Sequence, residues 1–199
     1  MLRKEQNDLL TQSGPGTPLG RLFRIPVNGR PITILELGGL PSEIINVVVS
    51  VLARMAFDFG VWSGGRVPLT FICEEAHRYV PIDKSLGFEP TKRAISRIAK
   101  EGRKYAIGLC VVSQRPAELD PSILSQCNTV FSLRLSNERD QEILKAGISD
   151  AAASLLEFMP TMGQGEAIAF GMLAAADLAC ARGALRPAGG AGRGQQAGL

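Results

Sequence analysis

One histidine, one tryptophan and two tyrosines occur in the 199 residues, and the shortage of histidine excludes a conventional zinc centre. Such a centre takes three or four nitrogen, sulfur or oxygen ligands. Here His77 stands alone, H-E-x-x-H is absent, and the four cysteines (Cys73, Cys110, Cys127, Cys180) contain no C-x-x-C pair. Direct metal ligation by His or Cys is therefore not expected. Three of the cysteines lie in apolar stretches, where a free thiol behaves as a small hydrophobe, and a reducing cytoplasmic setting is the simplest one. No uninterrupted apolar run reaches the ~18 residues that span a bilayer. The opening MLRKEQNDLLTQSG lacks the apolar core of a secretory signal, so no membrane association is expected. Charge of one sign is scarce too: 22 basic against 19 acidic residues give +3, too mild to demand a polyanionic partner. A phosphate-cradling G-x-x-x-x-G-K-[ST] loop is also missing. The nearest glycine-rich piece, SGPGTPLGR, lacks its spacing and its lysine, and no strand feeds it.

What is present is an alternation of strands and helices. Residues 1–30 are polar and turn-rich and read as an irregular segment. PITILELGG reads as a buried strand. PSEIINVVVSVLARMAFDFG reads as a helix, with Pro41 in its first turn, Gly60 as its C-terminal cap, and polar residues at 43, 46, 50, 54 and 58. Next come the strand LTFIC, a helix over about 91–104, the strand AIGLCVVS and the strand NTVFSLRL. Two short helices, NERDQEILKAG and SDAAASLLEFM, precede a last strand in GEAIAF. Strands that are nearly continuous in apolar residues indicate an α/β fold with a mostly parallel sheet, flanked by helices and buried on both faces. Residues 31–171 form that body. From residue 172 the sequence is Ala/Gly/Arg-rich, with three arginines against one aspartate. That composition cannot build a core and reads as a disordered tail.

Chemistry gathers at three places. LTFIC ends in Glu74 and Glu75, at the carboxyl end of a strand, where open α/β sheets bind ligands. Adjacent residues there point apart, so the pair can divide labour, one toward a cation and one toward a water; a solvated acidic loop is the plainer alternative. His77, close by, suits packing or hydrogen bonding at that corner. Between residues 91 and 104, six basic residues face Glu101 alone. Arg93, Arg97, Lys100 and Lys104 recur at helical spacing as one basic stripe opposite Ala94, Ile95, Ile98 and Ala99. A solvated face would have the same pattern. Gly102 should end or loosen this helix, letting Arg103 and Lys104 project, and an arginine so placed suits bidentate phosphate contact. Gln114 is the first long polar residue after the strand AIGLCVVS. If that strand neighbours LTFIC, Gln114 reaches the same crevice, where an amide can orient water or sense a terminal phosphate.

In order, FICEEAHRYVP, ISRIAKEGRKYAIGLCVVSQRP, LDPSILSQCNTVFSLRLSNERDQEIL and GEAIAFG resemble the C-terminal half of the ATPase core of the HerA/FtsK superfamily, HerA-like DNA translocases most of all. The resemblance covers about residues 30–171. It implies a partial RecA-like P-loop NTPase fold, a hexameric ring that moves duplex DNA with ATP and Mg2+, and a NurA-like nuclease partner. By match, Glu74 holds the Walker B position associated with magnesium, in place of the usual aspartate. Glu75 is the catalytic glutamate, Gln114 the sensor, and Arg103 the arginine finger that a neighbouring subunit supplies. The Walker A half is absent from these residues, so the chain alone is expected to be inactive. The turn to Ala/Gly/Arg sequence after Gly171 is what a truncated or frame-shifted product would carry. Two other readings stay open: a non-catalytic oligomerisation or nucleic-acid-binding module, and part of a conjugation or secretion motor.

Overall fold

A computed structural model of the chain describes residues 18–24, 31–83, 85–146 and 159–171. The second short helix expected within SDAAASLLEFM and the tail from residue 172 lie outside the described residues. The chain divides into two compact units, residues 1–127 and 128–199.

The first unit is built on two strands, β1 (Leu69–Cys73) and β2 (Ile107–Val111), paired in parallel with Leu69 opposite Ile107 and Cys73 opposite Val111. Its other elements are a five-residue helix α1 (Pro18–Leu22), a long helix α2 (Ser42–Ser63), α3 (Glu89–Glu101) and a single turn α4 (Pro121–Leu124). Residues of α2 and α3, among them Val49, Ala53, Phe57, Ile95 and Ile98, pack with Cys73 and Ile107 into one core. Leu69, Phe71, Leu109 and Val111 flank that core. The opposite sheet face carries Ile72, which is 58% exposed, and Cys110, also exposed. The sheet is therefore not buried on both faces among the described residues: α2 and α3 cover one face, and the period of two sends alternate side chains to the other.

Three sequence readings need correction. PITILELGG is not a buried strand: residues 31–37 carry no regular structure, and Ile32 and Ile34 are 70% and 81% exposed. A strand exists through its ladder bonds, and among the described residues no neighbour pairs with this segment. Gly60 does not cap α2, which runs on to Ser63 and ends at Gly64, held at φ 62° and ψ 30° in the left-handed region. Gly60 instead permits close packing, since a Cβ there would lie 2.4 Å from Ile107 Cγ1. Pro41 is the N-cap, one residue before the first turn. By length and composition α2 could cross a membrane, although Asn46, Ser50, Arg54 and Asp58 interrupt its apolar residues. Its buried side, from Ile45 to Phe59, belongs to the core of the first unit, while Ile44, Val47 and Val51 are about half exposed.

The second unit contains an antiparallel pair, β3 (Thr129–Ser132) with β4 (Ile168–Gly171), and helix α5 (Glu138–Ala146). Leu144, Met159 and Met162 form its small core against Val130, Leu135 and Ile168. The last two predicted strands thus exist, but they pair with each other and in the antiparallel sense.

Candidate functional site

The carboxyl ends of β1 and β2 form a bracketed corner. The Val112 N–H donates to the Cys73 carbonyl at 2.9 Å, and the Ala76 N–H donates to the Val112 carbonyl at 2.9 Å. Residues 73 and 76 are both tied to Val112, so Glu74 and Glu75 must loop out between them. Glu75 takes up the turn with φ 50° and ψ 44°, a left-handed conformation that costs a residue with a Cβ about 1–2 kcal/mol. Strain of this kind is characteristic of functional corners.

Gln114, just past β2, donates its Nε2–H to Glu75 Oε1 at 3.3 Å. The condition on which the sequence reading depended is met: the strands are neighbours and the two side chains meet. The second carboxylate oxygen, Oε2, lies 3.4 Å from His77 Nδ1, and the same nitrogen is 3.1 Å from Ser113 Oγ. Glu74 has separate surroundings. It is exposed, and burial, followed by its nearby carboxylate, pushes the Cys73 thiol up to about 12. The two glutamates therefore do not share one environment.

The helix α3 gives way at Gly102 to a tight turn, Gly102–Tyr105, and Arg103 and Lys104 on it are exposed. Gly102 is there for space, not for unusual backbone angles: its φ is −56°, and a Cβ would meet the Ile107 carbonyl oxygen at 2.5 Å. Arg103 precedes β2, whereas Gln114 follows it. Five residues of β2 lie between, and at about 3.3 Å each they separate the two ends by roughly 16 Å. Arg103 thus stands at the opposite sheet edge from Glu75.

The basic stripe is only partly available. Arg93 pairs with Glu89 at 2.9 Å, and the Arg97 guanidinium stacks over the Phe57 ring at 4.1 Å. Lys100 is exposed. Lys92, Arg93, Arg97 and Lys100, with Ser96 and Ser122, line a groove of about 380 Å³. Lys92, which the stripe reading left aside, bonds Asp120 at 2.5 Å. Sequence reasoning also missed Ser113; its only signal was a hydroxyl one residue before Gln114 at a strand end.

Comparison with known proteins gives this corner a context. No family model matches the chain. It is 34% identical over 146 residues to a probable helicase of Methanocaldococcus jannaschii, covering 70% of this chain and 28% of the relative. It is 40% identical over 104 residues to the DNA double-strand break repair helicase HerA of Pyrococcus furiosus, covering 52% and 18%. The chain is homologous to HerA-like helicases. A third HerA-like relative, the HerA of Saccharolobus solfataricus, is 31% identical over 148 residues, covering 71% and 29%. The chain spans less than a third of the length of each of these three relatives. Among solved structures, the genome packaging NTPase of Sulfolobus turreted icosahedral virus 2 bound to ATP-γS matches with a TM-score of 0.50 and 14% identity, over 62% of this chain and 57% of that one. That likeness is one of fold alone, a partial RecA-like α/β arrangement of the P-loop NTPases.

Proposed function

We propose that this HerA-like chain supplies the hydrolytic half of an ATP-dependent DNA translocase. The observation that carries the reading is the Gln114–Glu75 hydrogen bond across the carboxyl ends of neighbouring parallel strands. Glu75 polarises the attacking water, and Gln114 links that carboxylate to the terminal phosphate. Phosphoryl transfer depends on such positioning and on charge stabilisation more than on covalent chemistry by the protein. Glu74, an exposed hard oxygen donor beside Glu75, fits a water-mediated contact with Mg2+, which prefers oxygen ligands and keeps several waters. Bound magnesium would neutralise charge on the phosphates.

Arg103 acts in trans, since a residue at the far sheet edge cannot serve the Glu75 site of its own subunit. This supports an assembly of subunits; the resemblance makes it a hexameric ring working on DNA with a NurA-like nuclease as partner, and the cytoplasm is the proposed setting. Lys100 and Lys104, with Arg93 and Arg97 once released from their weak surface contacts, provide the phosphate or nucleic-acid contacts.

The test is DNA-stimulated ATP hydrolysis by two proteins: the chain alone, and a HerA-like relative in which the matched segment is replaced by this chain. The chain alone should be inactive. The chimera should turn over ATP and lose about 10²-fold or more with Glu75→Gln. A folded, DNA-binding chimera whose turnover is unaffected by Glu75→Gln would end the proposal. Robust turnover by the isolated chain would overturn the claim that it is inactive by itself.

A further inference from the structure

The contacts of His77 leave one side of the corner unexplained by the roles given to Glu75 and Gln114. The carboxylate of Glu75 meets different elements at its two oxygens: Oε1 accepts from Gln114 after β2, and Oε2 lies 3.4 Å from Nδ1 of His77 on the short turn Ala76–Arg78. The His77 side chain is 14% exposed against 43% for Glu75. On the same turn Ala76, just before it, and Tyr79, two residues on, are buried. The ring is thus the more buried partner and the glutamate the more exposed one.

We propose that His77 is a positioning residue for Glu75: its Nδ1–H, shared between Ser113 Oγ and Glu75 Oε2, anchors the carboxylate at the sheet edge independently of Gln114. The proposal rests on the hydrolytic reading of Glu75. An ionised carboxylate only accepts hydrogen bonds, so an attractive contact at Oε2 needs the hydrogen on Nδ1. Ser113 Oγ can take the other share. One of its two lone pairs accepts the Arg115 backbone N–H at 3.0 Å, and the second remains for Nδ1–H. The Nδ1–H tautomer satisfies all of these groups together; the other leaves Nδ1 and Oε2 as facing acceptors.

The arrangement has a functional consequence. Gln114 must leave Oε1 if its amide is to reach a terminal phosphate. With Oε2 still held by His77, the carboxylate keeps its place when that happens, and each oxygen retains a lone pair for a water. His77 thereby separates sensing by Gln114 from positioning of Glu75.

Because His77 is the chain's only histidine, nitrogen-15 labelling of histidine gives a single imidazole whose tautomer can be read by NMR, on the neutral ring at alkaline pH. In the full 199-residue chain we expect the Nδ1–H tautomer. Ser113→Ala should preserve it, and Glu75→Ala should shift the population toward Nε2–H. The Gln114 side-chain amide resonance should move in His77→Ala and return in His77→Asn, whose amide nitrogen can occupy the Nδ1 position. An Nε2–H tautomer in the unaltered chain, or no response to Glu75→Ala, would overturn the proposal. So would a Gln114 signal indifferent to His77→Ala. Core amide signals from Ala53 and Ile98 report whether each variant is folded; should His77→Ala unfold, the tautomer in the Glu75 and Ser113 variants decides. Neither readout involves nucleotide. A failed ATPase test with these signals intact removes only the hydrolytic role, and the reverse removes only the anchor.

Discussion

Replacing Gly102 by alanine would put a methyl carbon 2.5 Å from the backbone oxygen of Ile107 and 3.2 Å from Ile98 Cγ2. The first contact is with main chain, so no rotamer change relieves it; α3 and β2 must move apart, and Ile98 and Ile107 are both buried at 2% exposure. Overpacking of this kind costs about 1–3 kcal/mol, and a rigid partner puts the site at the upper end. Against it stands the better helical propensity of alanine, about 1 kcal/mol. The net loss should be about 2 kcal/mol, a shift of roughly 1 M in the urea midpoint for a small unit. Gly108→Ala is the control, because its Cβ would meet Thr70 Oγ1 at 3.4 Å, and it should lie within about 0.5 kcal/mol of the unaltered chain. Urea titrations followed by circular dichroism measure both. Equal midpoints for Gly102→Ala and Gly108→Ala would refute the claim that the Gly102 site is set by close helix–strand approach.

Asp120 gives a pH-dependent prediction. Burial alone raises its carboxyl, but hydrogen bonds from Lys92 and Ser122 outweigh that and hold it below the ordinary 3.8. A lowered folded value means the stabilisation is complete above the unfolded value and is lost as pH falls through the folded one. The stability difference between the unaltered chain and Asp120→Asn, about 1–3 kcal/mol at pH 7, should therefore shrink below about pH 4 in acid titrations of the urea midpoint. Arg97→Ala, which removes the stack on Phe57, should cost about 0.5–1 kcal/mol in the same assay. In alkylation followed by mass spectrometry, exposed Cys110 should react promptly at mildly alkaline pH. Buried Cys73, with its thiol at about 12, should react only on unfolding.

Much of the site was legible in the sequence because strand ends announce themselves: apolar runs stop, and the first long polar residues at the stops are Glu74, with Glu75 beside it, and Gln114. The meeting of Gln114 with Glu75 depended only on β1 and β2 being neighbours, which parallel strands consecutive in the chain favour. Hydrogen bonding by His77 at the corner was legible, but its partners Ser113 and Glu75 were not, because they depend on the backbone bracket at Val112 and the left-handed turn at Glu75. Gly60 was read as a helix end and is not one, whereas Gly102 does end its helix; at both, the need for glycine comes from the approach of Ile107, a tertiary contact that local pattern does not carry. PITILELGG has the composition of a strand, but composition cannot supply the neighbour that makes one. Likewise, the pairing of β3 with β4 is a long-range choice that apolar runs do not encode.

The central claim is that Glu75 and Arg103, at opposite ends of one short sheet, serve different ATP sites. The most direct measurement is ATP turnover on mixing two inactive chimeras, one carrying Glu75→Gln and the other Arg103→Ala. The mixture should regain activity, because an Arg103→Ala subunit still has Glu75 and can receive Arg103 from a Glu75→Gln neighbour. A mixture that forms mixed assemblies yet stays as inactive as either chimera alone would contradict it.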